Sequence, residues 1–173
     1  MVTLTINGKL VQAEDGEMLL AVIERQKISI PSTCNHKAVE PYGACRLCTV
    51  EITHPKWPGW KKHVTSCLYP VEEGLVVSTD APEVIELRKT LLDLMLARSP
   101  KAKLVQDLAA EYGVTKTSYE EVPDGNDCIL CGLCVRVCRE VIGSAATAGG
   151  TAPPAGGVNS NRWSGSSGFT VTP

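Results

Sequence analysis

An α+β fold is predicted for this 173-residue chain by three features of its sequence. Alternating apolar and polar residues recur in short runs over the first eighty positions, which is the period of a half-buried strand. Asn7-Gly8 lies between the first two runs, the strongest short signal for a hairpin. Two stretches with helical spacing follow, near residues 82–98 and 102–111. Hydrophobic residues make up 43% of the chain and aromatics 5%, with one Phe, so the core should be aliphatic.

Val2 to Ile6 reads as the first strand and Lys9–Ala13 as its return, closed by Asp15-Gly16. Residues 17–26 suit a helix whose stripe is Met18, Leu19, Val22, Ile23 and Gln26. Ile28 and Ile30 alternate toward Pro31. Residues 49–53, His63–Ser66 and Leu75–Thr79 read as three further strands. Strand, hairpin and helix together can pack one layer on another. Asp80-Ala-Pro82 marks a helix start, with Asp80 or Ala81 at the cap and Glu83 in the first turn. Its expected face is Val84, Leu87, Leu91 and Leu94, widened by Ile85, Leu92 and Met95, and Ser99-Pro100 stops it. A second helix over 102–111 would turn Leu104, Val105 and Leu108 inward and end at Gly113.

The net charge of −2 offers no field for nucleic acid or an anionic membrane. The basic stretch Lys56–Lys62 lacks the interleaving of a nucleic-acid groove and reads as a solvated loop. No basic, then apolar, leader opens the sequence. The apolar-rich stretch Val84–Ala97 is broken by Glu86, Arg88, Lys89 and Asp93, too polar to span a bilayer. A cytoplasmic location is the expectation. No Gly-x-Gly-x-x-Gly run or Walker motif is present, and Asp93, Asp107 and Glu111 read as solvated helix faces. A substrate-converting enzyme is therefore not expected.

Eight cysteines fall into two groups. Cys34, Cys45, Cys48 and Cys67 are separated by ten, two and eighteen residues. A long loop from Cys34 to Cys45 can wrap one side of a two-iron, two-sulfide core. The Cys45/Cys48 pair can hold it from a tight turn, and Cys67 can close the cage from a separate segment. Gly43 and Ala44 let backbone N–H groups approach sulfur. A structural zinc site is the alternative, but zinc more often joins two close pairs. Disulfides would need an oxidising compartment.

The run Cys34-Asn-His-Lys-Ala-Val-Glu-Pro-Tyr-Gly-Ala-Cys45-Arg-Leu-Cys48, followed by Ser66-Cys67, resembles the ferredoxin-like N-terminal part of a family of redox subunits. The family includes the large iron–sulfur subunit of NADH:quinone oxidoreductase, the small diaphorase subunit of NAD-linked hydrogenases, and the front of NAD-dependent formate dehydrogenases. The resemblance implies a β-grasp domain with one 2Fe-2S cluster on Cys34, Cys45, Cys48 and Cys67. Many members carry an extra 4Fe-4S cluster on a His and three Cys. The His–Pro of that motif aligns with Ser99-Pro100, and no Cys lies between Cys67 and Cys128, so the resemblance implies its absence. His36, His54 and His63 are expected in loops or at the surface rather than on iron.

Cys128, Cys131, Cys134 and Cys138 have gaps of two, two and three, the spacing of a bacterial 4Fe-4S run, though Arg139 stands where that run has Pro. A helix over Val135–Ile142 would set Cys134 and Cys138 on one face. Three outcomes stay open for the fourth ligand. Cys138 completes the centre, a partner or non-Cys ligand does, or the site is incomplete. In the relatives that Asp127–Gly143 resembles, a distal cysteine completes the first three, and the Cys138 position serves another cluster or is dispensable.

The expected organisation is thus a 2Fe-2S ferredoxin-like domain at 1–80, a helical collar at 81–120, a partial 4Fe-4S module at 121–142 and a Gly/Ala/Ser/Pro-rich tail at 143–173. The tail reads as disordered, or as a strap anchored by Trp163 and Phe169. The expected function is single-electron transfer within an oxidoreductase complex. FMN or FAD would sit only on a partner, and NAD(H) would be reached only through it. A small soluble electron carrier and a structural zinc scaffold are the other two readings.

Overall fold

The computed structural model describes residues 1–122 and 127–143. The expected tail anchors Trp163 and Phe169 lie outside the described residues.

β1 (Val2–Ile6) and β2 (Lys9–Ala13) form the hairpin that Asn7-Gly8 announces, with Ile6 opposite Lys9. Asn7 and Gly8 take φ of 48° and 78°, so both central residues are left-handed, as the twist of a two-residue hairpin turn requires. α1 (Leu19–Arg25) is shorter than the predicted 17–26. Met18 instead makes an isolated bridge with Pro70, and Gln26 is the C-cap. α1 has no side-chain N-cap. Its first N–H groups are satisfied by backbone, Leu19 N–H by Tyr69 O at 2.8 Å and Leu20 N–H by Ser66 O at 3.0 Å. Ile28 and Ile30 form no strand but pack against the core.

β3 (Thr49–Thr53), β4 (Lys62–Thr65) and β5 (Val76–Ser78) complete a five-stranded mixed sheet in the order β2-β1-β5-β3-β4. β1 and β5 are parallel, and the other pairs are antiparallel. α1 lays Leu19, Val22 and Ile23 on one face of this sheet, against Leu4, Ile52 and Val77. This is the α+β, β-grasp arrangement predicted. The expected solvated loop at 56–62 is exposed at Lys56, Trp60, Lys61 and Lys62, while Trp57 packs back on the core under Lys62.

α2 (Pro82–Arg98) and α3 (Lys103–Glu111) follow where predicted, with Ala81 and Ala102 as caps. The buried face of α2 differs from the expected one. Val84, Arg88, Leu92, Leu96 and Ala97 face inward, and Leu94 is exposed. The i, i+4 line through Arg88 wins because the guanidinium finds acceptors inside, as described below. On α3, Val105 and Ala109 are buried and Leu104 is exposed. The segment after α3 returns to α2. Ser118 donates from N–H and Oγ to the Asp93 carboxylate, and these bonds hold its pKa below the usual range.

A second core joins the helices to the cysteine loop. Leu47, Leu92, Leu96, Val105 and Ala109 are buried together, with Cys45 and Ile129 packed at their edge. α4 (Leu133–Glu140) follows Gly132, whose φ of 74° turns the chain into the helix. Among the described residues no helix is long and apolar enough to cross a membrane.

Leu92→Ala should empty the middle of this second core and cost about 2–5 kcal/mol. Urea unfolding checks it. A loss below about 1 kcal/mol would show that the helices do not brace the cysteine loop.

Candidate metal centre

Sheet register brings the first thiols together. β3 begins immediately after Cys48, and β4 ends two residues before Cys67. Thr49 pairs with Thr65, so Cys48 and Cys67 leave the same end of the same strand pair. Ser66 locks that end: its N–H and Oγ both donate to Cys48 O, at 3.2 and 2.8 Å. Leu20 of α1 packs on Cys48 and Cys67 from below, and both cysteines are 1% exposed.

The other two thiols arrive on loops. Cys34 follows the turn after Pro31 and is 1% exposed. Its Sγ lies 3.4 Å from Cys45 Sγ and accepts the Cys45 backbone N–H at 3.4 Å. Gly43 approaches this turn with φ of 68°, and a Cβ there would run into the Leu68 side chain. Arg46, φ 61°, makes the next left-handed bend, and Thr49 Oγ1 closes the turn on Arg46 O at 2.6 Å.

The four thiols therefore form two pairs, Cys34 with Cys45 and Cys48 with Cys67. Their ionisation is mutually dependent. The Cys67 thiol donates to Cys48 and outweighs burial. With help from the Cys67 backbone N–H and the Ser66 hydroxyl, it lowers the Cys48 pKa to about 6. Burial opposes ionisation of Cys45, but backbone N–H groups at Thr33 and Leu47 prevail and lower it. Burial pushes the Cys34 thiol up. Each pair thus holds one thiol eased toward the thiolate, Cys45 or Cys48, beside one pushed the other way, Cys34 by burial and Cys67 by its hydrogen bond to Cys48 and burial.

The donor set fits a two-iron cluster. Two thiol pairs match a centre that spreads its ligands over two metals. The Ser32 hydroxyl is buried two residues before Cys34 without a hydrogen-bond partner, available to a sulfide or thiolate.

The histidines are engaged elsewhere. His36 sits on the exposed loop and accepts the Ala38 N–H. His54 is a loop residue, but a buried one: Nε2 faces Glu73 O at 2.8 Å and Nδ1 accepts the Lys56 N–H. His63 faces Glu51 at 3.7 Å.

The second cysteine group is more open. Cys128 and Cys134 are exposed, and Cys131 and Cys138 are partly buried. Cys134 and Cys138 stand one helical turn apart on α4, as the spacing predicts. Ser99 Oγ donates to Cys128 O at 2.9 Å, tying the end of α2 to this group.

Three polar residues that the cysteine spacing did not reveal organise the site. Arg88 is 2% exposed and donates to Leu47 O (3.0 Å), Thr49 O (2.8 Å), Thr79 O (2.9 Å) and Tyr112 Oη (3.3 Å). Arg136 of α4 reaches into the Cys34–Cys45 loop. It donates to Cys34 O at 2.9 Å and to Glu40 O, and it lies over the Tyr42 ring at 5.0 Å. Glu140 pairs with Arg136 and accepts the Glu40 N–H at 2.8 Å. Val84, Leu92 and Leu96 share the line of Arg88, but a charge there reads outward, and no pattern pointed to Arg136 or Glu140.

Comparison with known proteins agrees with this geometry. Residues 1–82 match the family described as 2Fe-2S iron-sulfur cluster binding domain. The chain is 32% identical over 169 residues to the NADPH-Fe(3+) oxidoreductase subunit alpha of Geobacter sulfurreducens, covering 84% of this chain and 19% of that protein. It is 31% identical over 168 residues to the mitochondrial NADH-ubiquinone oxidoreductase 78 kDa subunit of Neurospora crassa, covering 83% and 22%. The chain thus spans about a fifth of the length of these curated relatives. Among solved structures, a chain of an NAD+-reducing [NiFe]-hydrogenase in the H2-reduced state matches with a TM-score of 0.70 at 28% identity, over 84% of this chain and 68% of that one. Fold and relatives agree that residues 1–82 of this chain are a 2Fe-2S ferredoxin-like domain, homologous to the matching parts of NADH-quinone oxidoreductase subunits and of a chain of an NAD+-reducing hydrogenase.

Proposed function

We propose that the chain is an electron-transfer part of a larger oxidoreductase, passing single electrons between a flavin-bearing, NAD(H)-linked partner and a second redox subunit. The observation that carries this is the pairing of Cys34 with Cys45 and Cys48 with Cys67 in one pocket. In this reading those four residues would hold the 2Fe-2S cluster. The cluster supplies reversible one-electron storage.

The chain's own residues bind, insulate and orient. The Cys45 N–H donates to Cys34 Sγ and stabilises charge on that sulfur. Leu20 and Leu47 exclude water on two sides. Cys45 and the exposed Ala44 mark the side open to an electron donor. The flavin, FMN or FAD, belongs to the partner, because hydride exchange with NAD(H) needs a two-electron carrier. No residue of this chain is assigned a catalytic step.

The second group is assigned a 4Fe-4S cluster on Cys128, Cys131 and Cys134. Cys138 is the candidate fourth ligand, supported by its place one turn above Cys134 on α4. The hydrogen bonds from Arg136 to Cys34 O and from Ser99 to Cys128 O support a relay from one group to the other. The division carried forward is a cluster domain at 1–80, a helical collar at 81–120, a second module at 121–142 and a tail from 143. A reducing, cytoplasm-facing compartment suits eight cysteines meant for iron.

Cys48→Ser, in the whole chain purified without oxygen, should abolish the two-iron EPR signal and lower iron and sulfide content. Cys131→Ser should remove the four-iron signal and leave the two-iron one. Loss of neither signal contradicts the ligand assignment.

Cys138→Ser separates the outcomes for the fourth ligand. Loss of four-iron content makes Cys138 a ligand. An unchanged four-iron spectrum assigns the fourth position to another group.

A further inference from the structure

The α2 helix places a cation inside the protein without an anion to match it. Arg88 is 2% exposed, and its four hydrogen-bond partners are three backbone carbonyls and a phenol. Among the described residues no carboxylate pairs with it. An unpaired buried charge is costly, and carbonyl dipoles offset only part of that cost. Something anionic nearby would complete the balance.

The anchoring carbonyls indicate where that anion sits. Leu47 precedes Cys48 and Thr49 follows it, so the guanidinium grips the backbone on both sides of one thiol. Thr79, just after β5, and Tyr112, the C-cap of α3, fix it from two further sides. Leu47 O, Cys48 O and Thr49 O are thus all held, the middle one by Ser66. The cation cannot swing away from the cysteine turn. A two-iron cluster on four thiolates is anionic when oxidised and more so after taking up one electron. A fixed cation at that turn favours the more negative form.

We propose that Arg88 is the counter-cation of the 2Fe-2S site and raises its reduction potential, acting as a positioning and charge-setting residue. The inference rests on the assignment of Cys34, Cys45, Cys48 and Cys67 as ligands. A purely mechanical staple would hold the loop equally well but would leave the potential where it is. The potential therefore separates the two roles.

The test uses the full cluster-loaded chain and an EPR-monitored redox titration of the two-iron signal. Arg88→Gln should weaken the preference for the reduced form at least tenfold, a downward shift of about 59 mV for a one-electron couple. Arg88→Lys should restore most of it. Tyr112→Glu puts an anion on the guanidinium's side-chain partner while leaving Arg88 in place. It should lower the potential, whereas Tyr112→Gln should not. If Arg88→Gln fails to hold the cluster, the Tyr112 pair decides. Wild-type potentials in both Arg88→Gln and Tyr112→Glu, or in Tyr112→Glu alone when Arg88→Gln is empty, overturn the proposal. A two-iron signal that survives Cys48→Ser overturns the ligand assignment itself, a result distinct from an intact signal at an unshifted potential.

Discussion

The grip on the short turn between Cys45 and Cys48 is the constraint on which the rest of the site depends. The Leu47 side chain is buried in the helical core, and its carbonyl is held by Arg88. Cys48 O is held twice by Ser66, and Thr49 O again by Arg88. Apolar burial and polar satisfaction act on the same few residues. A turn anchored in this way presents its thiols in one arrangement, which is what pre-organised metal ligation demands. The five-stranded sheet contributes by register: pairing Thr49 with Thr65 delivers Cys67 beside Cys48.

The helices after the sheet are consequently part of the site. α2 and α3 close over Leu47, and Ile129 of the second cysteine group packs on the same core. α4 reaches back through Arg136 and Glu140 to the loop between Cys34 and Cys45. Ser99, at the end of α2, donates to Cys128 O. The second cysteine group is thereby fastened to the helices that brace the first.

Much of the fold was legible because strands announce themselves by alternation and turns by chemistry. Val2–Ile6, Lys9–Ala13 and Thr49–Thr53 fall where the pattern put them, and Asn7-Gly8 makes its hairpin. The inward face of α2 was not legible. A charged residue is assigned outward by default, since burying it is costly, and nothing in a linear pattern shows three distant carbonyls waiting for Arg88. Leu104 was likewise expected inside on spacing alone, while the smaller Ala109 fits against the packed helices. The first four cysteines were readable from spacing. The pairing of Cys34 with Cys45 and Cys48 with Cys67 needed three dimensions, because each pair joins segments that only the sheet and loops bring together.

Mössbauer spectroscopy of the whole chain, grown on enriched iron and kept from oxygen, tests the central claim most directly. The account predicts a component from two antiferromagnetically coupled, sulfur-ligated ferric ions in the oxidised protein. Folded protein lacking that component, with the Cys34, Cys45, Cys48 and Cys67 thiols open to alkylation, would contradict it.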